Sequence, residues 1–132
     1  MVRTDRKDSI KQMADNCASC HARRDELDDN FKMGDKFEDH FLLVLPTQPG
    51  LYWANGMQRD EVYTETGLKL SRMGKAGVQC LDCHNAHTAT LKFPAEDNAL
   101  CLQCHEKGDR NAPVIDPLAH SRHKEGSAGN MC

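Results

Sequence analysis

Aromatic residues are scarce in this chain, 5% of 132 residues, and the mean hydropathy is −0.69. So polar a sequence struggles to build a large core from its own side chains. Long apolar runs are missing as well. The longest, Phe41-Leu42-Leu43-Val44-Leu45, is five residues, against roughly 20 for a membrane-spanning helix. No basic stripe exists, and the net charge is −3 with a pI near 6.1, so no nucleic-acid partner is expected. No secretory leader is visible at Met1. The expectation is a single domain over residues 1–132, cut from a longer chain. Strand-like alternation is absent, and a scaffold this poor in core needs a staple: disulfides, a metal or a cofactor.

Cysteine and histidine are what the chain has instead, seven of each. Six of the cysteines fall in three pentapeptides: CASCH at Cys17 to His21, CLDCH at Cys80 to His84, and CLQCH at Cys101 to His105. Cys-x-x-Cys-His is the attachment motif for c-type haem. Two thiols one helical turn apart add to the two vinyl groups on one porphyrin edge. The next residue then offers an imidazole to the iron. Cys17, Cys20, Cys80, Cys83, Cys101 and Cys104 are thus read as thioether anchors, and His21, His84 and His105 as proximal ligands. A four-Cys zinc site competes, because 17 residues separate Cys83 from Cys101, inside zinc spacing. The histidines decide. At about 0.05 His per position, all three pairs being followed by His has a chance on the order of one in seven thousand. Zinc would also strand Cys17 and Cys20. A disulfide framework fits an odd cysteine count poorly and would strain the Cys-x-x-Cys loops.

Three haems need three distal ligands, and four histidines lie outside the motifs: His40, His87, His120 and His123. That supply favours bis-histidine, low-spin, low-potential iron over methionine ligation by Met13, Met33, Met57 or Met73. His40 lies in the stripe Phe37, His40, Phe41, Val44, spaced as on an amphipathic helix. A His on such a face is ordinarily a satisfied core residue, but here cofactors are short of ligands. His87 follows His84 by three; if that stretch is helical, His87 must serve a neighbouring haem. His120 and His123, also three apart, serve two haems, or one of them is a surface residue. Cys132, the last residue, is read as the first Cys of a fourth haem motif, which would use all four spare histidines.

The periodicity predicts helices over residues 6–16, capped by Asp8 or Ser9, over 36–45, over 69–84 leading into CLDCH, and over 95–106 carrying CLQCH. Pro49-Gly50 and Asn55-Gly56 mark turns, with a short hairpin between Leu51-Tyr52-Trp53 and Val62-Tyr63. Motif starts are 63 and then 21 residues apart, so no fixed-period repeat exists. The predicted fold is mostly α with extensive loops: short helices wrapped around covalently attached haems, with little conventional core.

The runs Ser71-Arg72-Met73, Ala76-Gly77-Val78-Gln79-Cys80-Leu81-Asp82-Cys83-His84-Asn85-Ala86-His87 and Asn98-Ala99-Leu100-Cys101-Leu102-Gln103-Cys104-His105 resemble the multihaem cytochromes of the doubled Cys-x-x-Cys-His family. Some members carry tetratricopeptide repeats. The tail His120-x-x-His123 with Ser127-x-Gly129-x-x-Cys132, and Asp39-His40-Phe41, resemble that group too. The resemblance implies a periplasmic or extracellular place, since c-type haem is attached outside the cytoplasm. The expected role is electron transfer as a wire, shuttle or filament subunit. The expected partners are redox proteins or extracellular electron acceptors, with self-association into a haem chain as an open alternative. The competing role is part of a multihaem oxidoreductase acting on a small nitrogen or sulfur oxyanion. Such an enzyme needs an open iron position, and no catalytic residue stands out.

Overall fold

The computed structural model describes residues 6–55, 57–61, 63–94 and 96–131, with side chains from Ile10 onward. The chain divides into two compact units, Met1–Cys80 and Leu81–Cys132. No helix among the described residues is long and apolar enough to cross a membrane. The architecture is mostly helical and looped with few strands, as the composition leads one to expect.

The first unit starts with helix α1, Arg6–His21, which runs past the predicted end at residue 16 and takes in the whole CASCH motif. Asp8 and Ser9, expected as caps, fall inside it. Strand β1, Arg24–Glu26, follows directly and pairs antiparallel with β2, Phe41–Leu43. The predicted helix over 36–45 is therefore only one turn, α2, Phe37–His40. At Phe41 the backbone turns extended, with φ −135 and ψ 145. The ladder explains the switch. Leu27 N–H reaches the His40 carbonyl at 2.8 Å, and Val44 N–H reaches Arg23 O at 3.0 Å, bonds that a continuing helix would forfeit. Phe37 and Phe41 still meet, at 5.2 Å between ring centroids, and Phe31 joins them at 5.3 Å from Phe41. With Ala18 and Ala22 of the α1 end, these rings form the hydrophobic core. Arg24 lays its guanidinium over Phe41 at 3.8 Å, a cation–π contact that seals the cluster.

Beyond it, Leu51 is buried and a tight turn brings Trp53 N–H to Met57 O at 2.8 Å. The hairpin pairs Tyr52 with Gln58 rather than reaching Tyr63, which instead opens helix α3, Tyr63–Leu70. Gly56 and Val62 lie outside the described residues. The single helix expected over 69–84 is broken into α3, α4 (Arg72–Lys75) and α5 (Cys80–Cys83). Ser71 causes the first break: its hydroxyl accepts from Gly74 N–H at 3.0 Å and donates to Leu68 O at 2.7 Å. A Cβ at Gly74 would stand 2.0 Å from that same carbonyl, so only glycine permits the fold-back. Gly77, at φ +90, supplies the second break in a conformation glycine adopts freely.

In the second unit, α6 (Ala99–His105) carries CLQCH and α7 spans Pro117–Ser121. The predicted 95–106 helix is thus shorter at its start. Asp97 Oδ1 accepts from Ala99 N–H, the first amide of that helix, at 2.9 Å. Asn98, buried in a left-handed conformation, donates through Nδ2 to Asn130 O at 2.9 Å. Ser121 Oγ donates to Asn130 Oδ1, also at 2.9 Å. The buried apolar side chains among the described residues belong to the first unit: Ala18, Ala22, Phe37, Phe41 and Leu51. Among its described residues the second unit buries none.

Candidate functional site

The CASCH motif is the last turn of α1. Its two middle residues, Ala18 and Ser19, are buried, while Cys20 and His21 are exposed and Cys17 is half-buried. Helical geometry explains the division: the Ala18 side faces the Phe cluster, which leaves the anchoring side facing outward. Burial, aided by the neighbouring thiols of Cys80 and Cys20, pushes the Cys17 thiol up to about 11. Cys17 and Cys80, the leading cysteines of two different motifs, are neighbours. A cavity of about 370 Å³ opens beside Cys80, where the apolar Ile10, Ala14, Leu68 and Val78 share the wall with the charged Lys11, Asp15, Glu38, Glu65 and Lys69.

CLDCH forms the single turn α5, and the chain then folds back. Leu91 bridges to His84, and Lys92 N–H reaches Cys83 O at 2.9 Å. This closed loop brings the Ala89 carbonyl to 3.2 Å from His84 Nδ1. CLQCH ends α6, and the following loop brings the Pro113 carbonyl to 2.8 Å from His105 Nδ1. A carbonyl can only accept, so Nδ1 must carry the proton in both rings. The lone pair of each is then on Nε2, the nitrogen left for a metal. No disulfide joins the six described cysteines. No three His, Cys, Asp or Glu among the described residues are arranged to hold a metal ion by themselves. Asp82, inside CLDCH, accepts from Arg110 at 2.8 Å, and its carbonyl accepts from Gln103 of CLQCH at 3.2 Å.

The four spare histidines differ in setting. His87 sits in an exposed turn, not a helix. The helical premise that assigned it to a neighbouring haem therefore fails. His120 is exposed on α7, and the helix stops at Ser121 because Arg122 turns left-handed, so His123 does not share its face. The His123 ring lies against Gly129, where a Cβ would approach it to 2.6 Å. His40 is the most enclosed, with 13% of its side chain exposed. Its Nδ1 lies 2.9 Å from Asp28 Oδ2, its Nε2 lies 3.4 Å from Asp35 Oδ2, and its edge meets Phe31 at 5.4 Å. The Asp28 carboxyl is held below the usual carboxylate range, chiefly by the Asn30 side chain. Sequence reading missed Asp28, Asp35 and the two carbonyls, none of which has a motif. Cys132 lies outside the described residues. Met33, Met57 and Met73 are largely exposed.

A model of the doubled CXXCH motif family matches residues 74–110. No curated protein and no solved structure matches the chain. The matched segment holds both histidines whose Nδ1 is tied to a backbone carbonyl. The match is to the paired motif itself, and Cys-x-x-Cys-His motifs indicate covalently bound haem c.

Proposed function

We propose that the chain carries electrons through at least three closely spaced c-type haems, each iron held between two imidazoles. Bound haem iron supplies reversible one-electron exchange at each site. Cys17 and Cys20, Cys80 and Cys83, and Cys101 and Cys104 anchor the three groups. His21, His84 and His105 hold the near side of each iron. The far side draws on His40, His87, His120 and His123, and Cys132 opens a fourth motif. The observation that carries this reading is the pair of Nδ1–carbonyl contacts, His84 to Ala89 and His105 to Pro113. A surface or core histidine has no need of a fixed tautomer, whereas a metal ligand does. The absence of buried apolar side chains among the described residues of 81–132 also supports it, because packed macrocycles would fill that role. Close spacing is supported by the Cys17–Cys80 contact and by the Gln103 bond to Asp82.

Residues 1–132 then act as one multihaem domain in the periplasm or outside the cell. The haem propionates add to the net charge of −3. They steer the protein toward basic redox partners or metal-ion acceptors. Self-association into a longer haem chain extends the same role. Purified material settles the matter by intact mass and electron paramagnetic resonance. Three added haems with only low-spin signals are expected. Colourless protein with the mass of bare polypeptide refutes the proposal. A high-spin signal instead restores the oxidoreductase alternative.

A further inference from the structure

We infer that Asp28 is a positioning residue for His40: it holds Nδ1, frees Nε2 for iron and makes this imidazole the strongest donor in the chain. The inference rests on the reading of His40 as an axial ligand. Three observations build it. His40 is anchored at its backbone, where its carbonyl accepts from Leu27 N–H at 2.8 Å and Asp28 N–H at 3.2 Å. Its buried Nδ1 makes no aligned hydrogen bond, although Asp28 Oδ2 stands 2.9 Å away. A buried donor with its acceptor in place but out of line is an arrangement waiting for a turn of the ring.

The two flanking carboxylates are not equivalent. Asp28 commits Oδ1 to Asn30, at 2.7 Å from Nδ2 and 3.3 Å from the backbone N–H. Its Oδ2 is thereby aimed at His40. Asp35 uses the oxygen nearest Nε2 to accept from Lys32 N–H at 2.9 Å. Losing the imidazole leaves Asp35 with a partner, whereas Asp28 Oδ2 would lose its nearest donor. Nε2 is therefore the nitrogen released. The consequence is electronic. Carbonyls polarise His84 and His105, but a carboxylate draws the Nδ1 proton further and enriches the ring, which favours ferric iron. The haem bound by His40 then has a lower potential than it would with a neutral partner at Nδ1.

The test uses the holoprotein, with midpoint potentials by spectroelectrochemistry and spin state by electron paramagnetic resonance. Asp28→Asn is expected to shift one midpoint upward, leave the others in place and keep every haem low-spin. Asn30→Ala, which loosens the carboxylate but keeps its charge, should move the same midpoint upward by less. Asp35→Asn should move none. Unchanged potentials in both Asp28→Asn and Asn30→Ala overturn the inference, as does an equal shift in Asp35→Asn. If Asp28→Asn does not fold, Asn30→Ala alone decides. His40→Ala tests the underlying reading separately: one haem should turn high-spin. If none does, the assignment of His40 as ligand has failed instead.

Discussion

Replacing Cys101 and Cys104 by serine removes both anchors of the third motif and leaves the peptide free to form α6. The structure sets the size of the effect. No described apolar side chain in Leu81–Cys132 is buried, and α6 has only seven residues. Isolated helices need about 12–15 residues before they hold in water. A macrocycle burying roughly 400 Å², two to three aromatic side chains' worth, contributes about 10 kcal/mol at 25 cal/mol per Å². That is comparable to the whole stability of a small domain, about 5–15 kcal/mol. Hydrogen exchange read by mass spectrometry is the assay. The amides of Leu102, Glu106 and Ile115, now bonded to Asn98, Leu102 and His105 carbonyls, should exchange nearly as fast as in an open chain. The ladder between Arg24–Glu26 and Phe41–Leu43 should keep its protection, because Phe31, Phe37 and Phe41 pack beneath it. Equal protection of α6 with and without its anchors would show that side chains alone hold this unit, and the argument would fail.

Gly74→Ala should destabilise the α3–α4 joint by roughly 1–3 kcal/mol, because the new methyl meets backbone at Leu68 rather than a movable side chain; a lowered denaturant midpoint checks it. The Asp60 carboxyl is held below the usual carboxylate range by the Glu61 N–H, at 2.9 Å, and then by Arg23, at 3.0 Å. Its folded pKa is depressed, so its contribution is present above the ordinary carboxylate pKa and lost as pH falls through the folded value. Arg23→Ala should raise the Asp60 pKa part of the way back, read by NMR titration; an unmoved value would remove Arg23 from the account.

Several elements could be read directly from residue order. The helical periodicity over residues 6–16 marked α1, and the turn at Asn55 lies where the dipeptide placed it. Others could not. Phe37, His40, Phe41 and Val44 have helical spacing, yet the chain leaves the helix at Phe41. The partner strand is Arg24-Asp25-Glu26, three residues with little strand preference, chosen because they follow α1 and because Arg24 covers Phe41. The break at Ser71 depends on one hydroxyl bonding both ways, and a serine carries no such mark in a sequence.

The three pentapeptides were legible because their chemistry is local: two thiols and an imidazole are set by covalent spacing within about one helical turn. The orientation of each imidazole was not. It depends on the carbonyls of Ala89 and Pro113, which any residue could supply. At His40 it depends on Asp28 and Asp35, which arrive through the return of a loop. Folding brings these groups to the ring through backbone hydrogen bonds and a small aromatic cluster. The same letters in another loop geometry would point elsewhere.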